Sequence, residues 1–164
     1  LTILSVYFSR SHFEKNFIYR LILYLTEQYQ IDPKYIEIEI TESLFVLGYD
    51  LVKTEVKQLR KAGFRVAIDN FGTGHSSLGM LLDIPADIVK IDRSFLNREN
   101  RGNEKEFFQN MGKLIQSMEE EVIFEGIETE EQRKFLIECG FHLGQGNLFD
   151  HSLPIKVFEE KYMK

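Results

Sequence analysis

A chain of 164 residues with 43% hydrophobic and 28% charged residues has the make-up of one folded domain with a sizeable core, which argues against a disordered chain. A formal net charge of −6 argues against general binding to nucleic acid or to anionic membranes, because such binding needs basic surface to displace counterions. The single cysteine, Cys139, excludes an internal disulfide and fits a reducing compartment, and no apolar run approaches the roughly 20 residues that span a bilayer.

In chain order, a short β-branched run is followed again and again by a helical pattern. Residues 3–8 read as a strand, and from 12 to 28 the apolar Phe13, Phe17, Leu21 and Leu25 recur four apart, as on one helix face. Residues 35–40 alternate isoleucine with glutamate. A helix over 50–62 closes at Gly63, a strand spans 64–68, and a short helix covers 76–82. A strand at 86–91 precedes a helix marked by Phe107, Met111, Leu114, Ile115 and Met118. Residues 119–121, all glutamate, read as a solvated helix end before a strand at 122–124. Thr129 with Gln132 forms a capping-box pattern opening a helix through Glu138, with Gly140 as its stop, and Cys139 falls on the apolar side beside Leu136. A last short strand is expected at 147–149.

Strand and helix alternate about six times, which implies a mainly parallel sheet covered by helices, either doubly wound or a (β/α) barrel. The polar residues decide. Glu39, Asp69, Lys90 and Glu125 each lie at the end of a different strand, and delivery of chemistry from several strand ends is how a barrel builds its site. The expected fold is therefore α/β, a TIM-type (β/α)8 barrel, incomplete here because eight strands need about 250 residues. Along the strands Glu37 and Glu39 face opposite to Ile36, Ile38 and Ile40, Lys90 shares a face with Ile88 and Asp92, and Ile123 shares one with Glu125. Carboxylates and a lysine aimed inward must pair with each other, meet water or hold a metal ion.

Taken singly, these segments have plain structural readings. Glu37 and Glu39 can be the wet face of an edge strand, Asp69-Asn70-Phe71-Gly72 an ordinary turn, Lys90 with Asp92 a structural ion pair, Glu125-Gly126 a strand stop and 144–146 a loop. His75 reads as a hydrogen-bonding loop residue rather than a metal ligand.

Their joint order is more specific. Residues 38–43 (IEITES) resemble the ExxE segment of EAL domains, 68–78 (IDNFGTGHSSL) their DDFGTG loop, 88–92 (IVKID) their KID strand, 124–129 (FEGIET) their EGVET segment and 143–149 (LGQGNLF) their closing GxxQGYLF segment. The resemblance runs over residues 1–164 and implies one partial EAL domain, a modified TIM barrel whose active members cleave cyclic di-GMP to linear pGpG with Mg²⁺ or Mn²⁺. Hard divalent ions of this kind take oxygen ligands. By position, the resemblance makes Glu39 a metal ligand and Asp69 one shared between metals. Lys90 would hold the attacking water or phosphate, Glu125 would be the general base, Gln145 would support the metal and water shell, and Glu42 would brace the Asp69 loop.

The chain departs from the family pattern at three places. The EAL tripeptide would precede Leu1, so the sequence is expected to be a piece of a longer protein, with the N-terminal strands and any upstream sensory domain or membrane tether outside it. Tyr7 stands where the family has a metal-binding asparagine, and a neutral phenol is a poor ligand for a hard cation at pH 7. Asn70 replaces the second aspartate of DDFGTG, removing a charge where two dications must be held together. The expectation is a cytoplasmic, degenerate EAL module that binds cyclic di-GMP or a protein partner with little or no hydrolysis, with weak or single-metal occupancy. The alternatives are an active cyclic di-GMP phosphodiesterase or, on fold alone, an unrelated magnesium-dependent barrel enzyme. The open sheet edges of a partial barrel also lead us to expect a homodimer.

Overall fold

Alternation of isoleucine with glutamate makes a strand two-faced, and the isoleucine side needs a helix over it. The computed structural model describes residues 3–8, 18–46, 48–73, 78–96, 103–118 and 120–163, apart from the side chains of Glu42, Val46 and Leu78. Its elements are β1 (Leu4–Phe8), α1 (Ile18–Gln28), β2 (Ile36–Thr41), α2 (Tyr49–Lys61), β3 (Arg65–Phe71), α3 (Leu78–Asp83), β4 (Ile88–Ile91), α4 (Glu104–Gln116), β5 (Glu121–Phe124), α5 (Glu130–Glu138), β6 (Leu143–Gly144) and α6 (Ile155–Tyr162). The six strands form one sheet in sequence order, and every neighbouring pair is parallel. This is the expected α/β barrel arrangement with six strand–helix units, open between β1 and β6.

The outer face of the sheet carries the core. Ile38, Ile40, Val66, Ile68, Val89 and Phe124 are fully buried there, together with Val56 and Leu59 of α2 and Ile115 of α4. Burial of such side chains contributes roughly 1.5–3 kcal/mol each. At the C-terminal half the core is aromatic: Phe124 lies 4.7 Å from Phe141 and 5.5 Å from Phe108, and Phe108 meets Phe135 edge-on at 5.4 Å. Gly112 makes room for this cluster, since a Cβ there would come within 2.7 Å of the Phe141 ring. Cys139 is buried beside Leu136, as its helical position implies.

Local chemistry sets the element ends. Gly63 follows α2 at φ +94, a left-handed turn that glycine takes at little cost. Thr129 and Gln132 form the full reciprocal capping box at the start of α5.

Two expectations are corrected. Residues 147–149 are a turn, and the last strand is β6, because backbone bonds from Gln145 N to Phe124 O (2.8 Å) and from Ile127 N to Gln145 O (3.1 Å) place the pairing earlier. Glu120 and Glu121 are not a solvated helix end: Glu121 opens β5 and pairs with Arg65 at 2.7 Å, while Glu120 is 94% buried by the packing described below. Helix α6 has no counterpart in the expected elements. Residues 12–17 and 76–77 lie outside the described residues, as does His75.

Candidate active site

The inner face of the sheet is polar. Register pairs Ser5 with Glu37, Tyr7 with Glu39, Glu39 with Ala67 and Thr41 with Asp69, so these side chains line one surface. Lys90 reaches across from β4. Its Nζ lies 3.1 Å from Glu37 Oε1 and also bridges Glu39 Oε1, while Ser5 Oγ donates to Glu37 Oε1 at 2.9 Å and to Glu39. Lys90 and Glu37 are both buried. Burial works to lower the Lys90 ammonium pKa, but the hydrogen bond and charge of Glu39, with Glu37 behind it, outweigh burial and hold it above the ordinary lysine value.

β2 is therefore an interior strand whose glutamates are paired, not the wet face of an edge strand. Nor does Lys90 pair with Asp92. The Asp92 carboxylate accepts from Ser94 N at 2.8 Å and caps the turn Arg93–Phe95. Ser5 and Glu37 are site residues that the motifs did not single out. The signal for both was their even spacing from Tyr7 and Glu39 on the same strand face.

Asp69 sits at a break in the ladder. Ile68 pairs with Val89 and Phe71 with Ile91, so β3 carries one extra residue over this step, a β-bulge. Asn70 takes the extra position at φ +56, a left-handed conformation that asparagine tolerates better than most residues. From there its backbone N–H donates to Asp69 Oδ1 at 2.9 Å and its amide Nδ2 to Asp69 Oδ2 at 2.7 Å. Asn70 thus donates to both carboxylate oxygens of Asp69, and the Glu125 carboxyl hydrogen-bonds Asp69 as well. Burial, then the charge of Glu39, raises the Asp69 pKa.

Glu125 follows β5, and the backbone ladder continuing to Gln145 sets the Gln145 amide to donate to Glu125 Oε1. Burial, followed by the negative charge of Asp69, pushes Glu125 up to about 7. Gly146 allows this approach, because a Cβ there would lie 2.2 Å from the Ile127 carbonyl oxygen. The sheet thus gathers Glu39, Asp69, Lys90 and Glu125 within electrostatic reach of one another, with Asn70 and Gln145 bonded to two of them. Tyr7 is on the same face and 54% exposed. The Glu42 side chain is outside the described residues, and its backbone begins the turn Glu42–Val46.

The donors are carboxylate and amide oxygens, the chemical type that hard divalent cations select. Glu39 raises Asp69, and Asp69 and Glu39 raise Glu125, a crowding of negative charge that a cation would relieve. Among the described residues, however, no three carboxylate, histidine or cysteine side chains converge closely enough to hold a metal. The set fits such an ion in kind, with its members turned onto protein partners.

Residues 2–152 match the EAL domain family. The chain belongs to that family. The cyclic di-GMP phosphodiesterase NbdA of Pseudomonas aeruginosa is 36% identical over 82% of this chain and 17% of its own length. The EAL enzyme Bd1971, in its cAMP- and cyclic-di-GMP-bound form, superposes with a TM-score of 0.88 at 30% identity, over 96% of this chain and 42% of that one. BlrP1 of Klebsiella pneumoniae, in its calcium and cyclic di-GMP complex, superposes at 0.79 with 26% identity, over 89% and 38% of the two chains. The chain spans between 17% and 26% of the length of the first curated relatives it matches. Among the described residues no helix of this EAL domain is long and apolar enough to cross a membrane.

Proposed function

We propose that this EAL domain is a cyclic di-GMP signalling module that binds the dinucleotide and hydrolyses it weakly or not at all. The observation that carries this reading is that Asn70, standing in place of an aspartate, donates to both oxygens of Asp69. Glu39 is likewise held by Lys90 and Ser5. A cation must compete with these bonds and gains one carboxylate fewer than the family pattern offers.

In this reading Glu39, Asp69 and Asn70 are the residues that would hold Mg²⁺ or Mn²⁺, in weak or single occupancy, and Glu42 braces the Asp69 loop. When bound, such an ion stabilises negative charge on a phosphate and makes its water more acidic. Lys90 is the one buried cation on the described inner face, and in this reading it is the group that holds a phosphate oxygen or the attacking water. Its partners Glu37 and Glu39 limit how much positive field it presents. Likeness to Bd1971 and BlrP1, both solved with cyclic di-GMP, supports the ligand. A homodimer across the open edges, or sensory domains elsewhere in the protein, would supply regulation, and the cytoplasm is the compartment where the reading places it.

A second reading has its own observation. Gln145 orients Glu125 beside Asp69, as a general base on water requires, and this favours an active phosphodiesterase yielding pGpG. Calorimetric titration of the intact protein with cyclic di-GMP in Ca²⁺, followed by a Mg²⁺ hydrolysis assay, separates the two. Binding with little turnover is the expected result. Efficient turnover establishes the second reading, and no binding at high micromolar ligand removes both.

A further inference from the structure

The opposite end of the strands holds a groove of about 620 Å³, within the size range of small-molecule sites. It opens between α2, the end of α3 with residues 84–86 before β4, and Ser117, Met118 and Glu120 before β5, away from the residues described above. Its inner wall carries Glu120, 94% buried, whose enclosed Oε2 has no hydrogen-bond partner among the described residues. A buried carboxylate oxygen without a partner costs free energy, and nothing in the sheet ladder requires a glutamate at this place.

The charges around it are ordered. Lys53, Lys57 and Arg60 lie on one face of α2 and line the groove. Lys53 pairs with Asp83 at 3.3 Å and Arg60 with Asp87 at 2.8 Å, while Lys57 has no ion pair among the described residues. Arg60 is thus committed to Asp87, and the Asp87 charge adds to that of Glu120. The inner wall is left short of a cation and the mouth is left with a free one. Apolar Ile84, Ala86 and Met118 lie between.

We propose that this groove is a second ligand site, for a small zwitterion whose ammonium group meets the Glu120 carboxylate and whose anionic group meets Lys57. The proposal is independent of cyclic di-GMP binding, since it shares no residue with that site. A ligand held here would bridge α2 to the segments that lead into β4 and β5, strands whose other ends carry Lys90 and Glu125.

The test uses the intact protein and phosphoethanolamine as probe, with inorganic phosphate and ethanolamine as half-ligands, read by phosphorus NMR line broadening and by calorimetry. Phosphoethanolamine should bind in the millimolar range, about tenfold more tightly than either half, and Glu120→Gln and Lys57→Met should each weaken it about tenfold. Equal binding of phosphate alone, or unchanged binding in Glu120→Gln, would overturn the assignment and leave Glu120 as a neutral core group. Should Glu120→Gln not fold, Lys57→Met decides, because its side chain is exposed on the helix surface and unchanged affinity there sinks the proposal.

Discussion

Asn70 concentrates the questions raised by this domain. Its left-handed backbone, its place in the bulge and its two bonds to Asp69 all serve a neutral side chain. Asn70→Asp restores the family carboxylate, removes an amide donor and sets two negative groups side by side. The variant should melt lower than wild type without divalent ions and regain stability in Mn²⁺ by a larger margin than wild type. A variant indifferent to Mn²⁺ in a thermal melt would show that Asn70 does not limit metal binding. Glu120 offers a second residue-scale expectation. Burial pushes its pKa up to about 7, with Arg60 opposing and Asp87 adding to the rise. Its folded pKa lies above its unfolded value near 4.5, so the folded state holds more protons between these limits and stability falls as pH rises from about 4.5 to about 7. Glu120→Gln should flatten the melting temperature against pH across that window, and a slope equal to wild type would show the group titrates normally.

At the scale of elements, α4 and the segment between α5 and β6 are fitted together through a missing side chain. Alanine at 112 gains roughly 1 kcal/mol of helix propensity over glycine, but its Cβ would come within 2.7 Å of the Phe141 ring. Overpacking of this kind costs typically 1–3 kcal/mol, so Gly112→Ala should lower the urea midpoint despite the better helix former. A raised midpoint would mean that Phe141 can move aside. The elements were legible to different degrees. The isoleucine–glutamate period marked β2 and the Thr129–Gln132 spacing marked α5, because both signals are local. β6 is two residues long and its sequence has no strand pattern. It exists because β5 offers an unpaired edge, so the strand shifted from 147–149 to Leu143–Gly144.

For the molecule as a whole, the open sheet is the dominant feature. β1 and β6 each present an edge, and Leu4, Tyr7 and Leu143 are exposed near them. Unpaired edges recruit other strands. Residues 1–164 made alone should self-associate in sedimentation velocity, and a cooperatively melting monomer would show that the edges are tolerated.

The sequence by itself determined the alternating strand–helix order, the barrel class and the four charged strand ends, since each follows from side-chain period and residue type within a short window. It also placed the two neutral substitutions, Tyr7 and Asn70. Tertiary structure alone decided what those charges do. The motifs did not reveal that Lys90 is shared by Glu37 and Glu39 with Ser5 beside them, nor that Asn70 turns back onto Asp69 through a bulge. Glu120 passed for solvated because it sits in a run of glutamates, and only the packing of α2 and the turn before β4 buries it. Pairing and burial depend on register between strands far apart in sequence, and one residue of slip or bulge reverses which face a side chain joins.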